Sequence, residues 1–412
     1  MTQLKAGILN VAYSPNLGDG LIAECLRYGL TSSAAAIEAR FIDLAGRESF
    51  SQGLKSKQRF NAIRAMLPTF ALGFASRLFL SLLVQFRLKP FYLRKMVGLD
   101  AVILGGGNLL ADQDLNFPKK IHCALMAAAR LRLPVYLYGV GVSDDWSPTG
   151  RRLFLEALNA CDLRFISVRD ARSARLLEQA LSPSKRDIVT VLDPGVFAAL
   201  AMPPEAKNPP LPDGVRRIGV GVMSPSELKY HGLSSMDDQV LFDFYLTLFA
   251  ELGARGFQVA VFTNGSPEDR AFAKQLSRSV GEDAETQAWF SDASDRIQSP
   301  TDLCQFIATC SGIVAFRLHA IIAAFSYDKP FVALEWDKKV GAFLSEVKRP
   351  GAIANIAESS GASVLDMLLP GLNPSADLSS RAFAQRSLQS VHQLGALIGQ
   401  QQQRHAHEHL NR

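Results

Sequence analysis

The chain has 412 residues, 48% of them hydrophobic and 20% charged, which is the balance of an ordinary globular protein and excludes a disordered or collagen-like polymer. Its length suits two or three domains, each with its own core. A formal charge of +5 suits an acidic ligand or a membrane surface and is too weak to indicate nucleic acid.

The chain enters a strand almost at once (Leu4 to Tyr13) with no charged-then-apolar leader, so a cytoplasmic protein is expected. The five cysteines are scattered, with no Cys-x-x-Cys pair, and read as reduced core thiols rather than disulfides or a zinc site. Ala6 to Ala12 is a continuous apolar run, as in a strand buried on both faces of a parallel sheet. A turn, Tyr13 to Gly20, leads to a helix expected from Leu21 to Gly29, so strand, turn and helix open a βαβ unit. Asp19 falls at the carboxyl end of that strand, where open α/β sheets bind ligands, or else caps the helix. Ala39 to Leu44 contains the second strand.

Between residues 46 and 98 the composition changes. Ten bases, among them Lys55, Lys57, Arg59, Arg64, Arg77, Arg87, Arg94 and Lys95, are interleaved with Phe and Leu, and Glu48 is the only acid. Pro68, Gly73 and Arg77 interrupt the apolar run, which disfavours a spanning helix. Two readings stand: a basic amphipathic insertion lying on an anionic membrane, or a helical insertion packed on the domain with solvated basic edges.

Asp100 to Leu110 is a strand ending in the triplet Gly105, Gly106 and Gly107, whose backbone can approach a ligand or an adjoining chain. It is not a dinucleotide fingerprint. Asp112 and Asp114 follow, then a helix over Pro118 to Arg132 and a strand over Pro134 to Val142 holding Gly139 and Gly141. A helix from Pro148 to Ala160 precedes a strand that delivers Ser167 and Arg169 at its carboxyl end. The helix Ala171 to Leu181 and a strand ending before Asp193 complete this run. The proline-rich stretch 203–213 reads as a linker, after which the alternation restarts with strands at 217–222 and 258–262 and a helix at 267–280. A strand over Ile313 to Phe316 runs into a helix from Ala320, followed by a strand at 331–334.

Two βα runs predict an α/β protein of two Rossmann-like domains facing a cleft. They cover 1–202, with the insertion 46–98, and 214–360, followed by a terminal helix and polar tail over 361–412. Arg317 and His319 sit where the 313–316 strand becomes a helix. An extended chain there sends both side chains to one side, and the helix end adds unpaired N–H groups. A fixed cation, an imidazole and a helix N-terminus suit an anionic substrate that needs a proton; the bland alternative is an exposed arginine and a core histidine bonded to a carbonyl.

Asn16-Leu-Gly-Asp19, Gly105-Gly-Gly107, Gly139-Val-Gly141, Ser167-Val-Arg169-Asp170, Asp193-Pro194, Arg317-Leu-His319-Ala320 and the Lys338 region together resemble the polysaccharide pyruvyl transferase family. Pro15 departs from the glycine usual before the first Asn, and 46–98 looks variable. The resemblance implies a GT-B-like fold and transfer of a pyruvyl group from phosphoenolpyruvate onto two sugar hydroxyls, giving a ketal in cell-surface polysaccharide synthesis. It implies His319 as general acid, with Asp19 or Asp112 serving the acceptor hydroxyl. Arg317, Arg169, Lys338, Asn16, Gly105, Gly106, Gly107 and Ser167 would bind substrate. No metal or cofactor is implied beyond the donor. The partners expected are a sugar acceptor, lipid-linked or nucleotide-linked, and an anionic inner membrane surface, without nucleic acid. The alternatives are a GT-B nucleotide-sugar glycosyltransferase and a non-catalytic sugar-binding relative.

Overall fold

The computed structural model describes residues 3–52, 77–112, 114–181, 187–205, 214–230, 237–281, 288–373 and 379–410. The chain divides into two compact units, Met1–Ser14, Ile22–Pro194 and Gln385–Arg412 in one, Pro15–Leu21 and Gly195–Ala384 in the other. The division thus falls at Pro194/Gly195, ahead of the proline-rich stretch, of which 206–213 lies outside the described residues.

The first unit is a six-stranded parallel sheet of β1 (Lys5–Asn10), β2 (Glu38–Asp43), β3 (Ala101–Gly105), β4 (Pro134–Val140), β5 (Asp162–Val168) and β6 (Val189–Thr190). Their order is β2-β1-β3-β4-β5-β6, so the chain reverses its direction of sheet growth between β1 and β3. Every residue of β3 and β4 is buried, which explains runs without alternation. The helices Pro148–Ala160 and Ala171–Leu181 lie where the sequence puts them. Ser147 caps the former through Gly150 N–H.

The first helix differs. It spans Leu17–Thr31, and the cap is Asn16, whose Oδ1 accepts from Gly18 N–H at 3.3 Å. Asp19 therefore sits within the first turn, where the helix dipole favours an acid. The terminal helix, Arg381–Leu410, continues through the polar tail. In the first unit Gly29 lies against Val391 and Gly395 against Ser33, close approaches that a β-carbon on either glycine would block.

The second unit is also a six-stranded parallel sheet: β7 (Arg217–Gly221), β8 (Gln258–Phe262), β9 (Phe290–Asp292), β10 (Gly312–Ala315), β11 (Phe331–Leu334) and β12 (Ile353–Ala354). The order β12-β11-β10-β7-β8-β9 places the reversal between β7 and β10. The strand β9, the two-residue edge strand β12 and the helix Pro300–Thr309 are additions to the sequence reading. Short edge strands carry too few residues for a periodic signal.

In the 46–98 insertion, 53–76 lies outside the described residues, so Lys55, Lys57, Arg59 and Arg64 do too. The chain is helical from 77 to 96, with a π-turn over Val84–Leu88. One side of this helix packs into the core of the first unit through Leu88, Phe91, Tyr92 and Met96, and the Tyr92 hydroxyl donates to Leu44 O at 2.7 Å. Lys119 Nζ donates to Arg77 O and Ser81 Oγ, tying down its start. No helix among the described residues is long and apolar enough to cross a membrane. The five cysteines are free; burial pushes Cys123 up to about 11 and Cys304 and Cys310 up to about 12, which leaves them unreactive thiols.

Lys120 is a buried amine whose pKa burial lowers to about 8, Arg47 adding to the effect and Asp43 opposing it. The unfolded chain holds a proton on this residue up to its ordinary pKa of about 10.4. The native state therefore binds fewer protons between about pH 8 and 10, and its stability rises with pH across that window. We expect Lys120→Met to stabilise the protein at pH 7 by on the order of 3 kcal/mol, with the advantage shrinking above pH 8. Urea denaturation of both proteins at pH 7 and at pH 9.5 checks this; a constant difference would mean that Lys120 is not desolvated.

Candidate functional site

Open α/β sheets bind ligands beyond the carboxyl ends of their strands, at the point where strand order reverses. In the second unit that point is flanked by the chain leaving β7, Val222 to Ser224, and the chain leaving β10, Phe316 to His319. The helix after β10 begins at Leu318, so only Arg317 is extended and His319 already lies in the first turn. The expected shared side of Arg317 and His319 does not form, because the helical turn rotates the two side chains apart.

Arg317 turns inward. Its Nε and Nη2 donate to Asp269 Oδ2 at 3.1 and 2.6 Å, and Nη2 also meets Glu227 Oε2 at 3.0 Å. Asp269 is fully buried and its Oδ1 accepts from Ser224 N–H at 2.8 Å. Burial pushes the Asp269 carboxyl up, while Arg317 and the Ser224 N–H pull it back. Burial likewise opposes the Arg317 charge, but the two acids more than offset it and hold the guanidinium protonated. Arg317 is thus neither the exposed surface residue nor an open anion fork; its fork is filled by carboxylates from the helices after β7 and β8. The sequence signal was present in Pro225-Ser-Glu227 and Pro267-Glu-Asp269, acids in the first turns of those helices.

His319 is half-buried and lies against the Asn16–Asp19 segment. A β-carbon on Gly18 would stand 2.5 Å from His319 Nδ1, so only glycine lets the two pack this closely. Leu17 N–H donates to Asn264 O at 2.7 Å, which fixes that segment beside the end of β8. Asn264 itself was not anticipated. It is 2% exposed, and neither its side-chain oxygen nor its nitrogen finds a hydrogen-bond partner. A buried amide left so is costly unless a ligand completes it. Lys338 is exposed at the start of the helix Lys338–Glu346, just past the end of β11, and the neighbouring Lys339 pairs with Asp337.

In the first unit the Gly105 turn ends β3. Gly106 and Gly107 both have φ of +74°, which favours glycine, and a β-carbon on Gly106 would stand 2.2 Å from Ile22 Cγ2. Gly105 and Gly106 therefore serve the approach of the first helix, while Gly107 borders open space. Gly141 lets Asn108 and Arg169 come together: a β-carbon there would be 2.7 Å from Asn108 Oδ1 and 3.1 Å from Arg169 Nη2. Asn108 Nδ2 donates to Ser143 Oγ, and Oδ1 is buried with no partner. Arg169 is 8% exposed, with one long contact from Nε to Asp170 Oδ2 at 3.4 Å. Among the described residues neither Nη of Arg169 makes a hydrogen bond, whereas Arg317 spends Nη2 on two acids.

Two expected site residues are engaged in local hydrogen bonds. Asp112 accepts from Leu115 N–H at 2.9 Å through Oδ1, and from Ser147 N–H and Oγ through Oδ2. A carboxylate so occupied organises its loop and keeps one lone-pair position, on Oδ1. Ser167 is fully buried and spends its hydroxyl on Gly139 N–H and Leu137 O, closing the irregularity in the β4–β5 pairing. Among the described residues no group of three His, Cys, Asp or Glu side chains is placed to hold a metal ion.

A polysaccharide pyruvyl transferase family model matches residues 16–338. A search of curated proteins found no match. Among solved structures, UDP-GlcNAc 2-epimerase from Methanocaldococcus jannaschii is similar with a TM-score of 0.55 at 10% identity, covering 95% of this chain and 99% of that one. A putative UDP-N-acetylglucosamine 2-epimerase from Listeria monocytogenes gives 0.53 at 12%, covering 94% and 91%. At such identities the likeness shows the fold alone, the two-domain α/β arrangement of GT-B sugar enzymes.

Removing one partner of a buried ion pair strands the other charge, at a cost of about 3–5 kcal/mol. We therefore expect Asp269→Ala to destabilise the protein by that amount in urea denaturation, and Ser167→Ala by about 1 kcal/mol. An Asp269→Ala variant of parental stability would mean that Arg317 has found other partners.

Proposed function

The chain belongs to the polysaccharide pyruvyl transferase family, and we propose that it moves a pyruvyl group from phosphoenolpyruvate onto two hydroxyls of a sugar during cell-surface polysaccharide synthesis. The observation that carries this reading is Arg169, a buried guanidinium whose Nη donors are open beside Asn108 Oδ1. A planar fork of this kind suits a carboxylate or phosphate.

In this reading the donor's methylene carbon takes a proton from His319, and C2 becomes electrophilic. One sugar hydroxyl adds there, the bond from C2 to the phosphate oxygen breaks, and the second hydroxyl closes the ketal. Of the two hydroxyl protons released, one replaces the proton that His319 gave and the other leaves with phosphate. Asp19 receives or orients an acceptor hydroxyl. Arg169 holds the donor's anionic group, and Lys338 adds an exposed cation. The backbone at Gly107, open on one side, remains available to substrate. Asn16 acts through the turn that carries Gly18 and Asp19. Arg317 acts as a positioning residue: its carboxylate pairs anchor the junction from which His319 projects. No metal or cofactor enters. The acceptor is a sugar, lipid-linked where the enzyme works at the inner face of the cell membrane.

The test is phosphate release and product mass with phosphoenolpyruvate and a set of lipid-linked and nucleotide-linked sugars. With a confirmed acceptor, we expect His319→Gln to lower turnover by about 10²–10⁴-fold while donor affinity by calorimetry stays near parental. Parental turnover in His319→Gln would move the proton donor elsewhere, with Asp19 the next candidate. Arg169→Lys keeps the charge and loses the fork, so donor affinity should fall with stability unchanged. Equal donor affinity in Arg169→Lys would remove Arg169 from the clamp.

A further inference from the structure

The helix over 77–96 has a second apolar face that the core does not use. Leu78, Leu82 and Phe86 follow one another at four-residue spacing, with Phe79 beside them, and are 51%, 48%, 74% and 55% exposed. Residues four apart share a helix face, and the π-turn at Val84–Leu88 keeps Phe86 in line. Leu88, Phe91, Tyr92 and Met96, buried on the opposite side, hold the helix to the first unit. The other large exposed hydrophobics among the described residues, such as Tyr28, Met126 and Val240, are scattered singly. Scattered ones need no explanation, whereas a row on one helix does.

Charge decides what covers the row. From residue 77 to 98 there are five bases, Arg77, Arg87, Lys89, Arg94 and Lys95, and no acid. All five are exposed, and among the described residues only Lys95 is paired with an acid, at 2.6 Å from Glu48. Arg87 follows Phe86 at the edge of the apolar row, and Arg94, eight residues beyond Phe86, has its guanidinium 6.0 Å from the Phe91 ring centroid. Among the described residues no helix is long and apolar enough to cross a membrane. An apolar face carrying unpaired bases, anchored by its opposite side, fits a surface that is apolar within and negative at its boundary.

We propose that the outer face of this helix, through Leu78, Phe79, Leu82 and Phe86 with Arg87 and Arg94, docks the protein on an anionic lipid bilayer. The docking rests on these residues alone and stands whether or not phosphoenolpyruvate is the donor. Leu82 and Phe86 enter the boundary between headgroups and acyl chains, while the arginines meet lipid phosphates.

The experiment is flotation of the full-length protein with vesicles of phosphatidylcholine, or of phosphatidylcholine and phosphatidylglycerol in equal parts. Wild type should float with the anionic vesicles and not with the neutral ones. Each base near such a surface contributes about fivefold in partition, so Arg87→Ala with Arg94→Ala should lower it about thirtyfold. Leu82→Ser with Phe86→Ser should lower it more than about tenfold, and both variants should keep the parental melting temperature because these side chains are solvent-exposed. Raising salt from about 0.1 M to about 1 M shortens the screening length from about 10 Å to about 3 Å and should release the protein. Phe86→Trp supplies a direct readout, a blue-shifted emission on anionic vesicles. Absence of wild-type flotation, or equal flotation of the Leu82→Ser, Phe86→Ser protein, overturns the proposal. A dimer in sedimentation velocity that this double variant dissolves assigns the row to a second copy of the chain, and overturns it as well.

Discussion

The second unit depends on one buried guanidinium. Arg317 leaves the end of β10 and binds Asp269, from the helix after β8, and Glu227, from the helix after β7. Asp269 in turn accepts the Ser224 N–H at the end of β7. Three strand ends are thereby tied at the point where the sheet reverses its order. Burying these charges is costly, and the pairing recovers the cost only with close geometry and filled lone pairs. The contribution of such a network lies less in stability than in position: it fixes the first turn of the helix that carries His319.

The two arginines expected to act alike have opposite environments. Arg317 gives Nε and Nη2 to two acids, whereas Arg169 has a single long contact and stands beside an unpartnered amide oxygen. Both are more than nine-tenths buried, so burial alone does not tell them apart. What differs is the count of open donors. Open donors on a buried guanidinium carry a desolvation cost that a ligand would relieve, whereas Arg317 spends Nε and Nη2 on joining elements of the fold. Asn264 and Asn108 extend the same logic to neutral groups, since each leaves an amide atom buried and unmatched.

Glycines define both units at close quarters. In the first, Gly105 and Gly106 admit the helix Leu17–Thr31 against the end of β3, and Gly141 admits Asn108 and Arg169. In the second, Gly18 admits the His319 ring. Each of these belongs to a motif that looks, as a string of letters, like a ligand loop. Of the glycines in these motifs, Gly107 has no heavy atom within 4 Å of where a β-carbon would stand. The helix at 77–96 packs on the core of the first unit through one side and presents exposed apolar side chains on the other.

The sequence alone determined the architecture, because buried parallel strands write themselves as unbroken apolar runs and helices begin at Ser-Pro and Asp signals. The strands at 258–262 and 331–334 and the helices at 148–160, 171–181 and 267–280 lie at the residues read from the chain. The start of the first helix and the end of β10 were each misplaced, since Asn16 capping and an early turn at Leu318 are single-residue events inside otherwise helix-neutral stretches. Motif spelling likewise brought out Arg317, His319, Arg169, Asp112 and Ser167 together, without separating those that bind from those that build. That separation required the tertiary structure. Whether a carboxylate or guanidinium has a free lone pair or donor depends on residues far along the chain, such as Ser147 for Asp112 and Asp269 for Arg317. Sequence spacing encodes which elements form, while hydrogen-bond occupancy is set by which elements the sheet order makes neighbours.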